Sequence, residues 1–277
     1  MLDQFGFPGY LTRFAGTAFD GPSSCGSGST LAHEGTVIVA SNGNYSGVHF
    51  YTDFTLNSGV TMTVPAGGRR LVLIASGTIT INGTITASGA GGAGGAIAGG
   101  GVSGLGGSGT DQPGGGGGSD GVSNGGEGGA VLFHGHTIQT GGSAGLGSGS
   151  SATQVTGSTL VGILMDVVNA MGGAGGGGSV GIAGGAGGGS IVLIAPTIVL
   201  ASTATLNTSG VTTNHATYGG GGGGAGNIYI VARSYTDNGA TFTQSGGGVD
   251  TGTISSGGAG AAGIKQILIF SDQVVRG

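Results

Sequence analysis

The sequence has little charge, a single cysteine and no tryptophan. Of its 277 residues, six are Lys or Arg and eleven are Asp or Glu, and Cys25 is the one cysteine. So few basic residues argue against a nucleic-acid-binding surface. A lone cysteine excludes a disulfide scaffold. Proline occurs only five times, which excludes a collagen-like chain despite the 74 glycines.

Segments typical of export or membrane insertion are also missing. Residues Met1–Gln4 provide no basic region ahead of an apolar run, so we expect no secretory signal peptide. The longest apolar runs, Leu160–Val168 and Ile191–Leu200, are far shorter than the ~20 residues that span a bilayer. The sequence therefore predicts synthesis in a cytoplasm and no membrane insertion.

A short β-module returns several times along the chain. Each copy has an apolar strand, a turn, a second strand that alternates apolar and hydroxyl residues, and then glycine; the alternation is typical of β-strands. The clearest copies begin at Arg70, Ser190 and Asn227, and weaker ones at Ala130 and Lys265. Such a module cannot bury its apolar face alone, so the repeat predicts a mainly β fold of stacked, β-solenoid-like coils.

Glycine segments separate the modules. An extended helix of the polyproline II type has no internal hydrogen bonds, and glycine lets neighbouring helices approach closely enough to bond each other. The segments therefore predict a polyglycine II-type helix bundle, and the alternative is a set of flexible linkers. The glycine segments are Ser88–Gly129, Gly141–Gly149, Gly172–Gly189, Gly219–Gly226 and Gly246–Gly263.

These patterns divide the chain into four parts. Residues 1–35 contain a dense aromatic stretch, which indicates either a docking segment or a cap on the first coil. Residues 36–87 form a first β module, 88–189 a glycine-rich region and 190–277 the C-terminal modules. Ser158–Met171 is the one helix candidate. The docking candidates are Phe5, Phe7, Tyr10, Phe14 and Phe19.

Motifs for catalysis or cofactor binding are weak. The glycine strings lack the Gly-Lys-Ser or Gly-Lys-Thr of a phosphate loop. His134 and His136 would share one face of a strand, but two histidines in a turn explain the pair as well, and we predict no metal site. The carboxylates are scattered, so a sugar-cleaving β-helix enzyme that uses Asp120 or Glu127 is only a minor alternative. We expect a protein that is not an enzyme and needs no cofactor.

The remaining candidates are short segments without long glycine runs, which would become loops at the ends of a bundle. Loops on a rigid scaffold commonly carry binding residues, although they also serve as plain turns. Tyr218 and His215 offer a stacking ring and a polar tip for a sugar or a protein. The receptor-binding candidates are Asp111, Gln112, Asp120, Asn214, His215, Tyr218 and Asp250.

The glycine islands Gly89–Gly101, Gly172–Gly189 and Gly219–Gly226 resemble the tip adhesins of the long tail fibres of T-even-type bacteriophages. In that family a polyglycine sandwich carries variable loops that bind outer-membrane proteins or glycans, and an amino-terminal part seats the adhesin on the fibre. The strands Leu71–Ala75 and Ile191–Ile194 differ from this pattern and resemble glycine-rich bacterial β-helix adhesins.

The resemblance implies a virion structural protein, exposed on the particle, that acts as a tail fibre or tail tip adhesin. Its partners would be other virion proteins, through the N-terminal segment, and a host surface protein or glycan; an oligomer is allowed. The alternative is a self-assembling virion decoration or extracellular filament without a receptor. Ice binding, another use of polyglycine bundles, is a remote further reading.

Overall fold

The computed structural model describes residues 34–95, 183–214, 220–248 and 258–269, together with the backbone of 131–133 and 136–139. Within these ranges the chain is mainly β and forms no helix. The N-terminal docking candidates and the helix candidate Ser158–Met171 lie outside the described residues. The strands are β1 Val37–Val39, β2 Gly43–Asn44, β3 Gly47–Tyr51, β4 Phe54–Leu56, β5 Thr61–Thr63, β6 Arg70–Ala75, β7 Thr78–Ile81, β8 Thr84–Thr86, β9 Val131–Phe133, β10 His136–Gln139, β11 Ser190–Leu200, β12 Thr205–Asn207, β13 Ile228–Asp237, β14 Thr241–Thr243 and β15 Lys265–Ile269.

The strands stack in three parallel ladders. Ladder A contains β3, β6, the first half of β11, the first half of β13 and β15. Ladder B contains β1, β4, β7 and the second halves of β11 and β13. Ladder C contains β2, β5, β8, β12 and β14. Since β11 and β13 run through both A and B, those two ladders form one eight-stranded sheet and C forms a separate five-stranded sheet.

Alternating side chains explain why the ladders pack against each other. Leu73 of ladder A, Ile79 of ladder B and Ile85 of ladder C are fully buried in one core. Their neighbours Thr78, Thr80, Thr84 and Thr86 are only half-buried, as expected for side chains on the outer face of a strand. The predicted mainly β class is therefore confirmed, and the strands of the three strong modules pair in parallel.

One of the weaker modules behaves differently. The sequence predicts that the strand at Ala130–His134 joins the stack together with the strand after it. Instead, β9 and β10 pair with each other in antiparallel fashion and belong to neither large sheet. The prediction was wrong because two short strands separated by a two-residue link can form a hairpin with their own hydrogen bonds.

The sequence spacing between stacked partners is uneven. Along ladder B, successive partners are 17, 25, 119 and 37 residues apart. The step of 119 residues joins β7 to β11 and contains residues 96–182, almost all of which lie outside the described residues. The stack therefore continues in register across one long insertion.

The chain returns from ladder C to ladder A by two kinds of connection. Two residues join β2 to β3, and six residues join β5 to β6. By contrast, 20 residues join β12 to β13 and 21 join β14 to β15. These longer connections, with the two ends of the β8–β11 connection, contain the described glycine segments. We name 87–95, 208–214 and 244–248 the outgoing segments and 183–189, 220–227 and 258–264 the return segments.

The return segments bond to each other through every third residue. Gly185 and Gly188 donate their N–H groups to the carbonyls of Gly221 and Gly224. The next pair of segments repeats this spacing, because Gly222 donates to Gly258 at 2.9 Å and Ala225 donates to Ala261 at 2.8 Å. The two residues between consecutive donors are thereby left to face other neighbours.

Those intervening residues bond the return segments to the outgoing ones. Gly223 and Gly226 donate to the carbonyls of Val211 and Thr208. The same spacing of three recurs where Gly184 and Gly187 donate to Gly95 and Gly92, and where Gly260 and Gly263 donate to Gly247 and Gln244. The described segments therefore form two hydrogen-bonded rows, which we call the glycine layer.

Space within the glycine layer excludes side chains at several positions. A Cβ atom added at Gly223 would overlap the backbone carbonyl of Ala186, and one added at Gly210 or Gly260 would overlap that of Gly223. Here glycine is required because another backbone lies against it and not because of an unusual φ angle.

Candidate binding surface

Three connections of the chain leave the glycine layer from one edge. Residues 96–182, 215–219 and 249–257 each join an outgoing segment to a return segment. At their attachment points, Gly184 N–H donates to Gly95 O at 2.9 Å and Thr213 Oγ1 donates to Gly220 O at 2.8 Å. The ends of all three connections therefore lie beside partner segments of the same layer.

Further hydrogen bonds join these attachment points to one another. Gly185 N–H donates to Gly221 O and Gly222 N–H to Gly258 O, both at 2.9 Å. Gly248 N–H donates to Thr212 Oγ1 at 2.6 Å, which ties the start of the third connection to the segment before the second. We call this border of the layer, with residues 93–95, 183–185, 211–214, 220–222, 247–248 and 258–260, the display edge.

The display edge carries no charged residue among those described. Val211 is 39% exposed, and Thr212 and Asn214 are also exposed. Every other described residue of the edge is Gly or Ala except Thr213, whose hydroxyl is held by Gly220. The described residues of this edge therefore offer few polar side chains of their own.

The predicted receptor-binding residues all fall at or beyond this edge in the sequence. Asn214 is exposed on the last described position before the second connection. The others lie outside the described residues, and topology assigns each to one connection. Asp111, Gln112 and Asp120 belong to the first, His215 and Tyr218 to the second, and Asp250 to the third.

An aromatic and polar cluster at the N-terminal end of ladder A was not predicted from the sequence. His49 stacks on Tyr51 with ring centroids 6.2 Å apart and an interplanar angle of 5°, and its edge meets Tyr45. Its Nδ1 lies 3.1 Å from Glu34 Oε1 and its Nε2 lies 3.1 Å from Ser46 O. Burial is the main cause that raises the pKa of the Tyr51 phenol well above its ordinary value.

This cluster covers the core at the first strand of ladder A. Tyr51 is 1% exposed and its ring lies 4.9 Å from that of Phe54 inside the main core. The alternation of His49 with Tyr51 in a strand is the sequence signal that would have placed both on the inner face. Since both imidazole nitrogens face protein oxygens, the arrangement is better suited to closing the core than to binding a ligand.

Two of the described carboxylates, Asp53 and Asp237, accept hydrogen bonds from backbone N–H groups. Asp53 Oδ1 accepts from Thr78 N–H at 2.7 Å. Asp237 Oδ1 accepts from Ala240 N–H at 2.8 Å and from Gly239 N–H at 3.0 Å, and its Oδ2 accepts from the Tyr235 hydroxyl. The hydrogen bond from the Ala240 N–H group is the main reason why the pKa of Asp237 is lowered. Asp237 holds its own turn, which is an ordinary role for an isolated acid, whereas Asp53 joins its turn to the start of β7, 25 residues later in the chain.

Within the described parts of the chain, no three His, Cys, Asp or Glu residues form a group that could hold a metal ion. His136 begins β10, and His134 lies outside the described residues. In the same parts of the chain, no helix is long and apolar enough to cross a membrane.

Comparison with known proteins gives no relative. No family model matches the chain, and neither a curated protein nor a solved structure matches it.

Proposed function

We propose that this chain is a structural protein of a bacteriophage virion that displays host-binding loops from a rigid scaffold. It would sit on a tail fibre or at a tail tip, held to other virion proteins by its N-terminal segment. The binding loops would be the three connections at the display edge. In this proposal the protein works by presentation and catalyses no reaction.

The scaffold we propose is a β-solenoid joined to a polyglycine II helix bundle. Three ladders of parallel strands around one core support the solenoid. Donation from every third residue supports the bundle, because a helix with three residues per turn points equivalent groups in one direction at that interval. Such a scaffold keeps its loop attachment points fixed, which lowers the entropy lost when the loops bind a partner.

The observation that carries the functional proposal is the common edge from which all three connections leave. In ladder B the longest sequence step is 119 residues, whereas the others are 17 to 37 residues. The additional sequence is thus inserted at the display edge and leaves the register of the ladders unchanged. Loops that vary on a constant scaffold are the usual arrangement in recognition proteins.

A self-assembling filament or decoration protein is the second candidate, and one observation favours it. Ile267 and Ile269 on β15, the last strand of ladder A, are 39% and 49% exposed. Strand edges with apolar side chains are prone to pair with another chain. In that case the display edge would have no receptor, and alteration of β15 would abolish assembly.

The test uses the full chain and particles from its source. Immunogold with an antibody against residues 34–86 locates the protein, and purified protein then competes with the particles for adsorption to their bacterial host. One variant carries Gly-Ser repeats in place of residues 212–218. A matched control carries Ser58→Gly and Ser202→Gly, which change exposed turns between ladders B and C.

An adhesin requires gold at a fibre tip or tail end, competition by the wild type and the control, and at least tenfold weaker competition by the loop variant. Label spread over the capsid, or equal competition by a folded loop variant, would overturn the proposal. Loss of filaments in Ile267→Lys, with adsorption unchanged, would establish the second candidate in its place.

A further inference from the structure

The outer face of ladder C carries two regular rows of polar side chains, seven of them threonine hydroxyls and one the amide of Asn207. In the first row the stacked partners are Thr61, Thr84, Thr205 and Thr241. In the second row they are Thr63, Thr86, Asn207 and Thr243. The residue between the two rows points inward in each strand, and Met62, Ile85 and Leu206 are fully buried. We call these eight side chains the hydroxyl face.

Most of these hydroxyl groups have no partner in the described parts of the protein. Thr86 Oγ1 accepts a long bond from Ser88 N–H at 3.4 Å, and Asn207 Oδ1 accepts from Ser209 N–H at 3.0 Å. The hydroxyls of the other six threonines make no hydrogen bond to the described residues. As far as the described residues are concerned, these groups are therefore left to bind water or a ligand.

A further row lies beside the hydroxyl face. Ser88, Ser209 and Ser245 follow β8, β12 and β14 at equivalent positions, and the hydroxyls of Ser209 and Ser245 are 3.2 Å apart. The four strands of the hydroxyl face contain no Asp, Glu, Lys or Arg. The surface is thus uncharged, and its donors and acceptors repeat in two directions.

The spacing of this array is fixed by the backbone. Adjacent strands lie roughly 4.8 Å apart, and alternate residues on one strand are separated by roughly 6.7 Å. The partners keep their register without a shift through all four strands. Threonine also has a stiff χ1 angle, so its hydroxyl and methyl groups hold their positions with little loss of entropy.

Ladder B shows that such regularity is not general in this molecule. Its outer positions also include threonines, namely Thr55, Thr80 and Thr236, but Val199 interrupts their row. The next row begins at Asp53, whose carboxylate is bound to the Thr78 amide. Ladder C therefore holds the larger array of uncharged polar side chains, since Asn207 is its one departure from threonine.

We propose that the hydroxyl face binds the surface of ice. Oxygen atoms on a prism face of ice repeat in a rectangular pattern with spacings close to those of the array. A rigid set of methyl and hydroxyl groups can order water into the same pattern, and water-mediated contacts of this kind can be nearly as favourable as direct ones. The proposal is independent of host binding, which would use the display edge.

Other occupants fit the face less well. A soluble glycan would be expected to use an aromatic ring for stacking, and the outer positions of these strands have none. A second copy of the chain would need large apolar side chains or oppositely charged groups to bury, and the face offers neither. Only a partner with a repeating lattice makes use of a repeat in two directions.

The experiment measures thermal hysteresis and ice-crystal shaping with the purified full chain. The test variant carries Thr84→Lys and Thr205→Lys on central strands of the face, where long charged side chains would hold the surface away from ice. The control carries Ser202→Lys on an exposed turn between ladders B and C. A milder variant, Thr84→Val with Thr205→Val, removes two hydroxyls and keeps the side-chain shape. Circular dichroism and Tm verify folding.

We expect faceted crystals and measurable hysteresis for the wild type and the control, and at least a fivefold loss for the double-lysine variant. The double-valine variant should retain folding and show a smaller loss. No shaping by the wild type, or full activity of a folded double-lysine variant, would overturn the proposal. So would concentration-dependent dimers, or glycan binding, that depend on the same two threonines while ice is unaffected.

Discussion

The first and last parts of the described chain stack the same three ladders but close each return in different ways. In residues 34–86 the returns from ladder C to ladder A take two and six residues. In residues 183–269 they take 20 and 21 residues, and these form the glycine layer. Since the short returns are enough to keep the strands of the first part in register, we expect the glycine layer to be an addition to the β-stack.

The two parts also use different interactions. The first is stabilised by large apolar side chains, including Tyr51, Phe54 and Met62, which are at most 1% exposed. The last adds backbone hydrogen bonds between segments that have almost no side chains to bury. We therefore expect the stability of the first part to depend most on the volume of its buried apolar side chains. The stability of the last part should be most sensitive to atoms added to its glycines.

The largest effect is expected from Phe54→Ala. The side chain is fully buried in the main core, and truncation of such a residue costs about 3–5 kcal/mol from lost transfer energy and the cavity left behind. Urea unfolding measures the loss. Ile38→Ala is the control, because Ile38 is 63% exposed on the neighbouring strand of ladder B. Equal losses in the free energy of unfolding at both sites would show that burial in the core does not stabilise residues 34–86.

A smaller effect is expected when one methyl group is added to the glycine layer. Gly223→Ala places a Cβ against the carbonyl of Ala186, and relieving that overlap should cost about 1–3 kcal/mol. At Gly248 the nearest atom to an added Cβ is Thr212 Oγ1 at 3.4 Å, so Gly248→Ala should be neutral or slightly stabilising. Hydrogen exchange should show faster exchange in 183–269 alone. Uniform loss of protection across all three ladders would contradict a separable layer.

Substitution of Gly67 tests whether the short returns require glycine for its backbone conformation and not for lack of space. Its φ angle is 76°, and an added Cβ would meet no atom within 4 Å. Gly67→Ala should therefore cost about 1–2 kcal/mol from backbone strain alone. Gly67→Asn should restore part of this loss because asparagine tolerates the left-handed region. At Gly223 the same change to asparagine should be worse than alanine. Thermal unfolding of the four variants separates strain from lack of space.

The smallest effect is expected at Asp237, in the turn between ladders B and C. Its pKa is lowered mainly by the N–H of Ala240, so the charged form is favoured in the folded state. The stabilisation is present above the pKa of the unfolded chain and is lost as the pH falls through the lower pKa of the folded protein. Because the site is exposed, Asp237→Asn should cost under about 0.5 kcal/mol at neutral pH.

The measurement is urea unfolding of both proteins at neutral pH and well below the usual carboxyl range near about pH 4. The difference between wild type and Asp237→Asn should disappear at the acid end. A difference that grows on acidification would mean that the sign of the pKa shift is wrong.

Much of the stack was predictable because the alternation of apolar and hydroxyl residues can be recognised within a single strand. The apolar residues Ile79, Ile81 and Ile85 alternate with threonine, and all three are fully buried in ladders B and C. Residues 43–63 belong to the predicted first β module, but its individual strands in this range were not predicted. They are two to five residues long and are mixed with Asn, Ser and Gly, so each is weak in isolation and is fixed by pairing with the next strand.

The candidate site was predictable only in outline. Sequence alone indicates that segments between glycine runs become loops, and topology now assigns Asp111, His215 and Asp250 to three connections at one edge. That they share an edge depends on hydrogen bonds between segments far apart in sequence, such as Gly184 to Gly95. The hydroxyl face had the same limitation, since its rows exist only once the register of β5, β8, β12 and β14 is known.

The long step between β7 and β11 bears on how this chain can change its length. The entropy of closing a loop grows only with the logarithm of its length, so a step of 119 residues in place of 37 costs roughly 1 kcal/mol more. A deletion or an exchange of sequence within 96–182 would change that term by a fraction of a kcal/mol. As far as this entropy is concerned, the length of the connection that follows Gly95 can change with little effect on the stability of the ladders.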